Sequence, residues 1–195
     1  MLRITDGDTA EQALAEAFSY MEGVKKDYDD VPDGYKLWIT EFGITKYSKQ
    51  EEEGMWPIGL YYAVMAMSWL EMGNKIDCYM LHHITNNPAV INTSSMRLGP
   101  VAIAYREIAY LMTGCRSVSH CKNCADGRVK QWVFSYEKGK KVLLMNTSSS
   151  PVSGIDVSGE LQADAYRVRQ YFAPGIIQTP VSEGDGIEMD SWTSG

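Results

Sequence analysis

Apolar positions in the first 115 residues follow two different periods. Ala10, Ala13, Leu14, Ala17, Phe18, Met21 and Val24 recur every three or four residues, which predicts an amphipathic helix with one buried stripe. Thr9 and Gln12 read as a capping box, Asp6 and Asp8 add negative charge at its start, and Lys25 and Lys26 suit its end. A turn-rich stretch at 29–34 leads into residues 36–46, K-L-W-I-T-E-F-G-I-T-K. Leu37, Trp38, Ile39 and Phe42 make this run short, aromatic and β-branched, and Gly43 ends it, so a buried strand is predicted. Alternation along a strand puts Leu37, Ile39 and Glu41 on one face and Trp38, Thr40 and Phe42 on the other. Glu41 then sits at the C-terminal end of a buried strand. A carboxylate there must reach water, pair, or be used, and α/β enzymes keep catalytic groups at such ends.

Residues 56–72 are apolar nearly all round, which predicts a helix buried on more than one side and closed by Gly73. A second strand, I-D-C-Y-M-L at 76–81, ends in His82 and His83. His82 reads either as a satisfied strand-end histidine or as a ligand contact beside Glu41. A third helix is expected from Pro100 to Met112, ended by Gly114. The order helix, strand, helix, strand, helix implies parallel strands covered by helices. Two parallel strands do not make a stable covered sheet, whereas a (β/α)₈ barrel has eight. Residues 1–114 therefore read as the closing quarter of a barrel, carrying its seventh and eighth strands. The alternative is a small open α/β unit completed by packing on a C-terminal β-domain. After a linker loop at 115–128 the pattern turns all-β, with runs at 129–136, 141–146, 152–157 and 166–172 separated by turns. That predicts a small antiparallel β-sandwich over 129–195. Trp132, Tyr136, Tyr166 and Tyr171 are either its core or exposed sugar platforms.

Composition narrows the function. The chain has 195 residues, 45% hydrophobic and 22% charged, with a net charge of −7. An acidic chain lacks the basic footprint that a nucleic-acid backbone requires. No apolar run approaches the roughly 20 residues that span a bilayer, and the N-terminal residues are too polar for a signal peptide. Cys115, Cys121 and Cys124 lie close together beside His120. Their spacing is poor for zinc, since adjacent ligands splay apart, so no metal or cofactor is expected. A loop disulfide is favoured over free thiols, which would suit a secreted or periplasmic protein.

The motif W-I-T-E-F-G resembles the seventh-strand nucleophile motif of retaining clan A glycoside hydrolases. The aromatic helix after it, the D-C-Y-M-L-H-H-I strand and the L-G-P-V-A-I-A-Y helix running into β-structure resemble α-L-arabinofuranosidase-like members. The resemblance covers roughly residues 9–172. It implies a (β/α)₈ barrel with a C-terminal β-sandwich, a carbohydrate substrate, and Glu41 as nucleophile, with His82 and Trp38 as substrate-binding neighbours by analogy. Retaining hydrolysis needs a second carboxyl group about 5–5.5 Å away. In the family that acid/base Glu follows an Asn on the fourth strand, and this chain has no Asn-Glu pair. The resemblance thus implies half of a catalytic pair, inactive alone, with a missing N-terminal barrel segment as partner. Two other readings compete: a non-catalytic carbohydrate-binding or interaction module built on the sandwich, and a pseudoenzyme that completes a barrel with another chain.

Overall fold

The computed structural model describes residues 2–3, 10–45, 56–81, 91–92, 96–163, 165–171 and 188–194. Strand β1 (Leu2–Arg3) is followed by helix α1 (Ala10–Asp29), β2 (Leu37–Phe42), β3 (Ile44–Thr45), α2 (Trp56–Glu71), β4 (Ile76–Leu81), β5 (Ile91–Asn92), β6 (Arg97–Leu98) and α3 (Pro100–Met112). Then come β7 (Ser117–Val118), β8 (Lys122–Cys124), β9 (Val129–Ser135), β10 (Lys140–Asn146), α4 (Ser158–Leu161), β11 (Ala165–Tyr171) and β12 (Glu188–Ser194). The predicted cap of α1, with Thr9, Asp6 and Asp8, lies outside the described residues.

The first half is the expected mixture of helix and parallel strand. β2 pairs parallel with β4, and β1 parallel with β3. Helix α2 is buried on nearly every side, from Pro57 to Trp69, because it packs on both α1 and α3. Glycine makes the α2–α3 approach attainable. A Cβ on Gly59 would stand 2.6 Å from the carbonyl oxygen of Pro100 and 2.8 Å from its carbonyl carbon, and both are backbone atoms. Gly23, on the exposed side of α1, has nothing within 4 Å of its Cβ position. Gly59→Ala should therefore destabilise the protein by about 1–3 kcal/mol despite alanine's better helix propensity. Gly23→Ala should stabilise it by about 0.5–1 kcal/mol. Urea unfolding of the two variants checks both signs.

The second half departs from expectation. Residues 117–118 and 122–124, inside the supposed linker at 115–128, are strands β7 and β8, both antiparallel to β9. They were too short and polar to read as strands. With β10 they form a four-stranded sheet. Residues 152–157, expected to be a strand, form none. β11 and β12 make a separate antiparallel pair. The sheet does not bury its large side chains in a core of its own. Trp132, Phe134 and Met145 join the same buried cluster as Leu14, Ala17 and Met21 of α1 and the apolar side chains of α2. Phe18 stacks on Trp132 with ring centroids 6.3 Å apart. β11 leans on the helices as well, through Tyr171 stacked on Trp56 and Arg169 paired with Glu107 at 3.2 Å.

Candidate functional site

β2 is extended as predicted, but its faces are not the predicted ones. Ile39 pairs with Tyr79 and Phe42 with Leu81, so three steps on β2 match two on β4. This bulge puts both Ile39 and Phe42 in the core and leaves Thr40 and Glu41 exposed. Glu41 thus stands opposite in exposure to Ile39, the residue with which alternation grouped it. The succession of two polar residues, Thr40 and Glu41, between two apolar ones was the available sign. Phe42 is the anchor: its ring centroid lies 5.8 Å from that of Tyr79, 6.1 Å from Tyr105, 6.2 Å from Tyr62 and 6.5 Å from Trp69. The neighbour of Glu41 is therefore held by four aromatic rings, which fixes the backbone that presents the carboxylate.

A second irregularity lies one turn of pleat earlier. Leu37 pairs with Ile76 and Trp38 with Cys78, so Asp77 is the extra residue on β4. Asp77 is exposed, and its carboxylate accepts a 2.7 Å hydrogen bond from the Trp38 indole N–H. Trp38 is 63% exposed, and this hydrogen bond ties its ring to β4. Trp38, Thr40, Glu41, Asp77 and Met80 make up the exposed side chains of the two strands, while Ile39, Phe42, Tyr79 and Leu81 pack on the helices. Sequence reasoning overlooked Asp77, although a lone acid within an apolar strand was a sign that it had a partner or a use. His82, the other expected neighbour, lies outside the described residues. A cavity of about 510 Å³ opens beside Asp77, Cys78, Trp69, Ile76, Met112 and Cys115; Glu41 does not line it.

A second carboxylate that sequence reasoning missed is Glu71, at the end of α2. Its side chain is 4% exposed. It takes a 2.5 Å contact from the Lys25 ammonium, 2.6 Å from the Trp132 indole N–H and 3.1 Å from the Cys121 backbone N–H, and His120 Nδ1 lies at 3.7 Å. Three separate stretches of chain meet on one buried acid. Burial alone would pull the Lys25 ammonium down, but hydrogen bonds to Glu71 and Glu22, with their charges, together hold it above the ordinary lysine value. That contribution is fully present at neutral pH and is lost only as pH rises past 10.5. Tyr136 points the same way: burial, with the neighbouring Cys115 and Tyr110, pushes its phenol up to about 12, and its hydroxyl donates to the Leu111 carbonyl. Above pH 10 the unfolded chain loses this proton while the folded chain keeps it, so stability falls as pH rises from 10 toward 12. Urea midpoints at pH 8, 10 and 11.5 should decline in that order, and a flat profile would contradict these assignments.

Three of the four aromatics considered for sugar binding in the β-region serve packing. Trp132 is fully buried, Tyr136 is tied to α3 through Leu111, and Tyr171 is stacked on Trp56. All four cysteines are free thiols, so the expected loop disulfide is not formed. Cys115 donates to the Ser117 carbonyl at 3.1 Å and Cys124 to the Gln131 amide oxygen at 3.2 Å, while Cys121 packs into the main core. Cys121 and Cys124 are three residues apart in extended chain, which turns them to opposite sides. Burial, with the Glu71 charge, pushes the Cys121 thiol up, the reverse of what a reactive thiolate requires. Among the described residues no three His, Cys, Asp or Glu side chains group so as to hold a metal ion, and no helix is long and apolar enough to cross a membrane. No family model and no curated protein sequence matches the chain.

Proposed function

We propose that the chain is the closing part of a retaining glycoside hydrolase of the (β/α)₈-barrel, α-L-arabinofuranosidase-like kind, with Glu41 as nucleophile. The observation that carries this reading is the exposed face of β2–β4. It presents a carboxylate at the C-terminal end of a helix-backed parallel strand, on the same strand as an exposed tryptophan locked by Asp77. A fixed, solvent-facing indole is what a sugar ring stacks on, and an acid at that strand end is where a barrel enzyme performs chemistry. In a complete barrel this face would turn inward and the helices outward, with further parallel strands taking the free edges of β2 and β4. The β-region would then be the accessory domain that such enzymes carry after the barrel. The acid/base carboxyl would come from the missing strands.

The test is hydrolysis of an aryl α-L-arabinofuranoside by the chain alone and by the chain joined to the polypeptide encoded immediately upstream. The chain alone should give no turnover. The joined protein should hydrolyse the substrate, and Glu41→Gln should abolish this. Turnover that survives Glu41→Gln, or a joined and folded protein inactive on every aryl glycoside tried, would overturn the reading. The burial of Trp132 and the tethering of Tyr136 and Tyr171 argue against one form of the rival reading, a binding module that stacks sugars on these β-region aromatics.

A further inference from the structure

The four-stranded sheet turns its other face to a groove of about 330 Å³, walled by Ser117, Ser119, His120, Lys122, Ser135 and Lys140, with Glu160 of α4 at its rim. The register explains the grouping. Ser117 lies opposite Ser135, and Ser135 opposite Lys140, so two hydroxyls and an ammonium form one row across β7, β9 and β10. Directly opposed residues in such a ladder bring their Cβ atoms within about 5 Å. Four residues further along β9, roughly 13 Å away, Lys122 lies opposite Gln131 and pairs with Glu160 at 3.5 Å. That pairing offsets the one acid in the groove and leaves the Lys140 charge uncompensated. The Cys115 thiol donates to the Ser117 and Ser135 backbone carbonyls, but among the described residues no hydrogen bond or ion pair engages the Ser117 and Ser135 hydroxyls or the Lys140 ammonium. Ser119, by contrast, is committed, accepting from the Val133 N–H at 2.9 Å and donating to the His120 carbonyl. His120, whose side chain is exposed, has its Nδ1 3.7 Å from the Glu71 carboxylate. The sheet fits the same sign: residues 115–146, which carry its four strands, hold seven Lys and Arg against two Asp and Glu, in a chain whose net charge is −7.

We propose that this groove binds a small hydroxylated oxyanion, such as a sugar acid or a sugar phosphate. The anionic group would sit on the Lys140 ammonium and neighbouring carbon-bound hydroxyls on Ser117 and Ser135. Ammonium–oxyanion contacts are the stronger kind of hydrogen bond, and paired hydroxyls act as both donor and acceptor toward a polyol. The volume stands at the low end of the roughly 300–1,000 Å³ typical of small-molecule pockets, which suits one such unit rather than a polymer. The groove does not include Glu41, so the proposal does not depend on the glycosidase reading.

Amide NMR of the ¹⁵N-labelled full chain, titrated separately with glucuronate, glucose 6-phosphate and glucose, tests it. At least one of the two anions should shift the Ser117, Ser119, Val133 and Ser135 amides saturably, and whichever binds identifies the carboxylate or the phosphate as the source. Glucose should leave those amides unmoved. Lys140→Glu, at an exposed strand start, should weaken binding at least about tenfold while amides elsewhere keep their positions. Glucose binding as well as the anions, failure of both anions, or indifference to Lys140→Glu would overturn the proposal. Should Lys140→Glu disturb the fold, Lys140→Gln with the same titration supplies the comparison.

Discussion

Replacing Glu71 with alanine should destabilise the fold by about 3–5 kcal/mol, the usual cost of stripping one partner from a buried ion pair. The loss is compound. The Lys25 ammonium keeps Glu22 alone among the described residues, and the Trp132 indole N–H and the Cys121 backbone N–H lose their acceptor. Glu71→Gln should cost less, because both N–H groups donate to the same oxygen, Oε1, and an amide oxygen there still accepts both, while the charge opposite Lys25 is gone. The double variant Glu71→Leu with Lys25→Met should recover much of the loss, since apolar packing replaces both charges. Urea unfolding followed by tryptophan fluorescence measures all three. A Glu71→Ala midpoint close to that of the parent protein would show that the acid is not what joins helices and sheet.

If the proposed glycosidase reading holds, Glu41→Gln in the chain joined to its upstream segment should lower kcat by at least about a thousandfold, with substrate still bound, because the amide cannot form the glycosyl ester. Trp38→Ala should act differently, raising KM through the lost stacking platform with a smaller effect on kcat. That split separates a group that reacts from one that positions. Asp77→Asn gives a finer test. The amide oxygen still accepts from the Trp38 indole, so KM should change little, whereas Asp77→Ala should release the ring and approach the Trp38→Ala phenotype.

Much of the first half was readable because periodicity there reflects burial directly. The three helices and the strands β2 and β4 follow from runs with a clear period, with α3 bounded by Pro100 and Gly114. Glycine with positive φ, 60° at Gly73 and 72° at Gly114, closes α2 and α3 where the pattern ends. What was lost is the local detail that tertiary packing imposes. Alternation could not foresee that Ile39 and Phe42 would both be drawn to the helices, which makes β2 bulge and exposes Glu41. Asp77 and Glu71 were hidden for a related reason: each acid looked like an incidental charge beside an apolar run, and its partner lies far off in sequence, Trp38 for one and Trp132 for the other. Ser117, Val118 and the Lys122–Cys124 stretch become strand only because β9 offers an edge to pair with, a fact no local propensity records. β12, with its Asp, Glu and Ser, was missed on the same ground and is defined by β11 alongside it.

The shared core has a bearing on inheritance. Trp132, Phe134 and Met145 are buried in one cluster with apolar side chains of α1, α2 and α3. A segment beginning near residue 127, excised and grafted elsewhere, would carry an oily, uncovered flank and would clump before it could serve a new host. The two halves of this polypeptide are therefore expected to travel through evolution together, each changing only as fast as the other can accommodate.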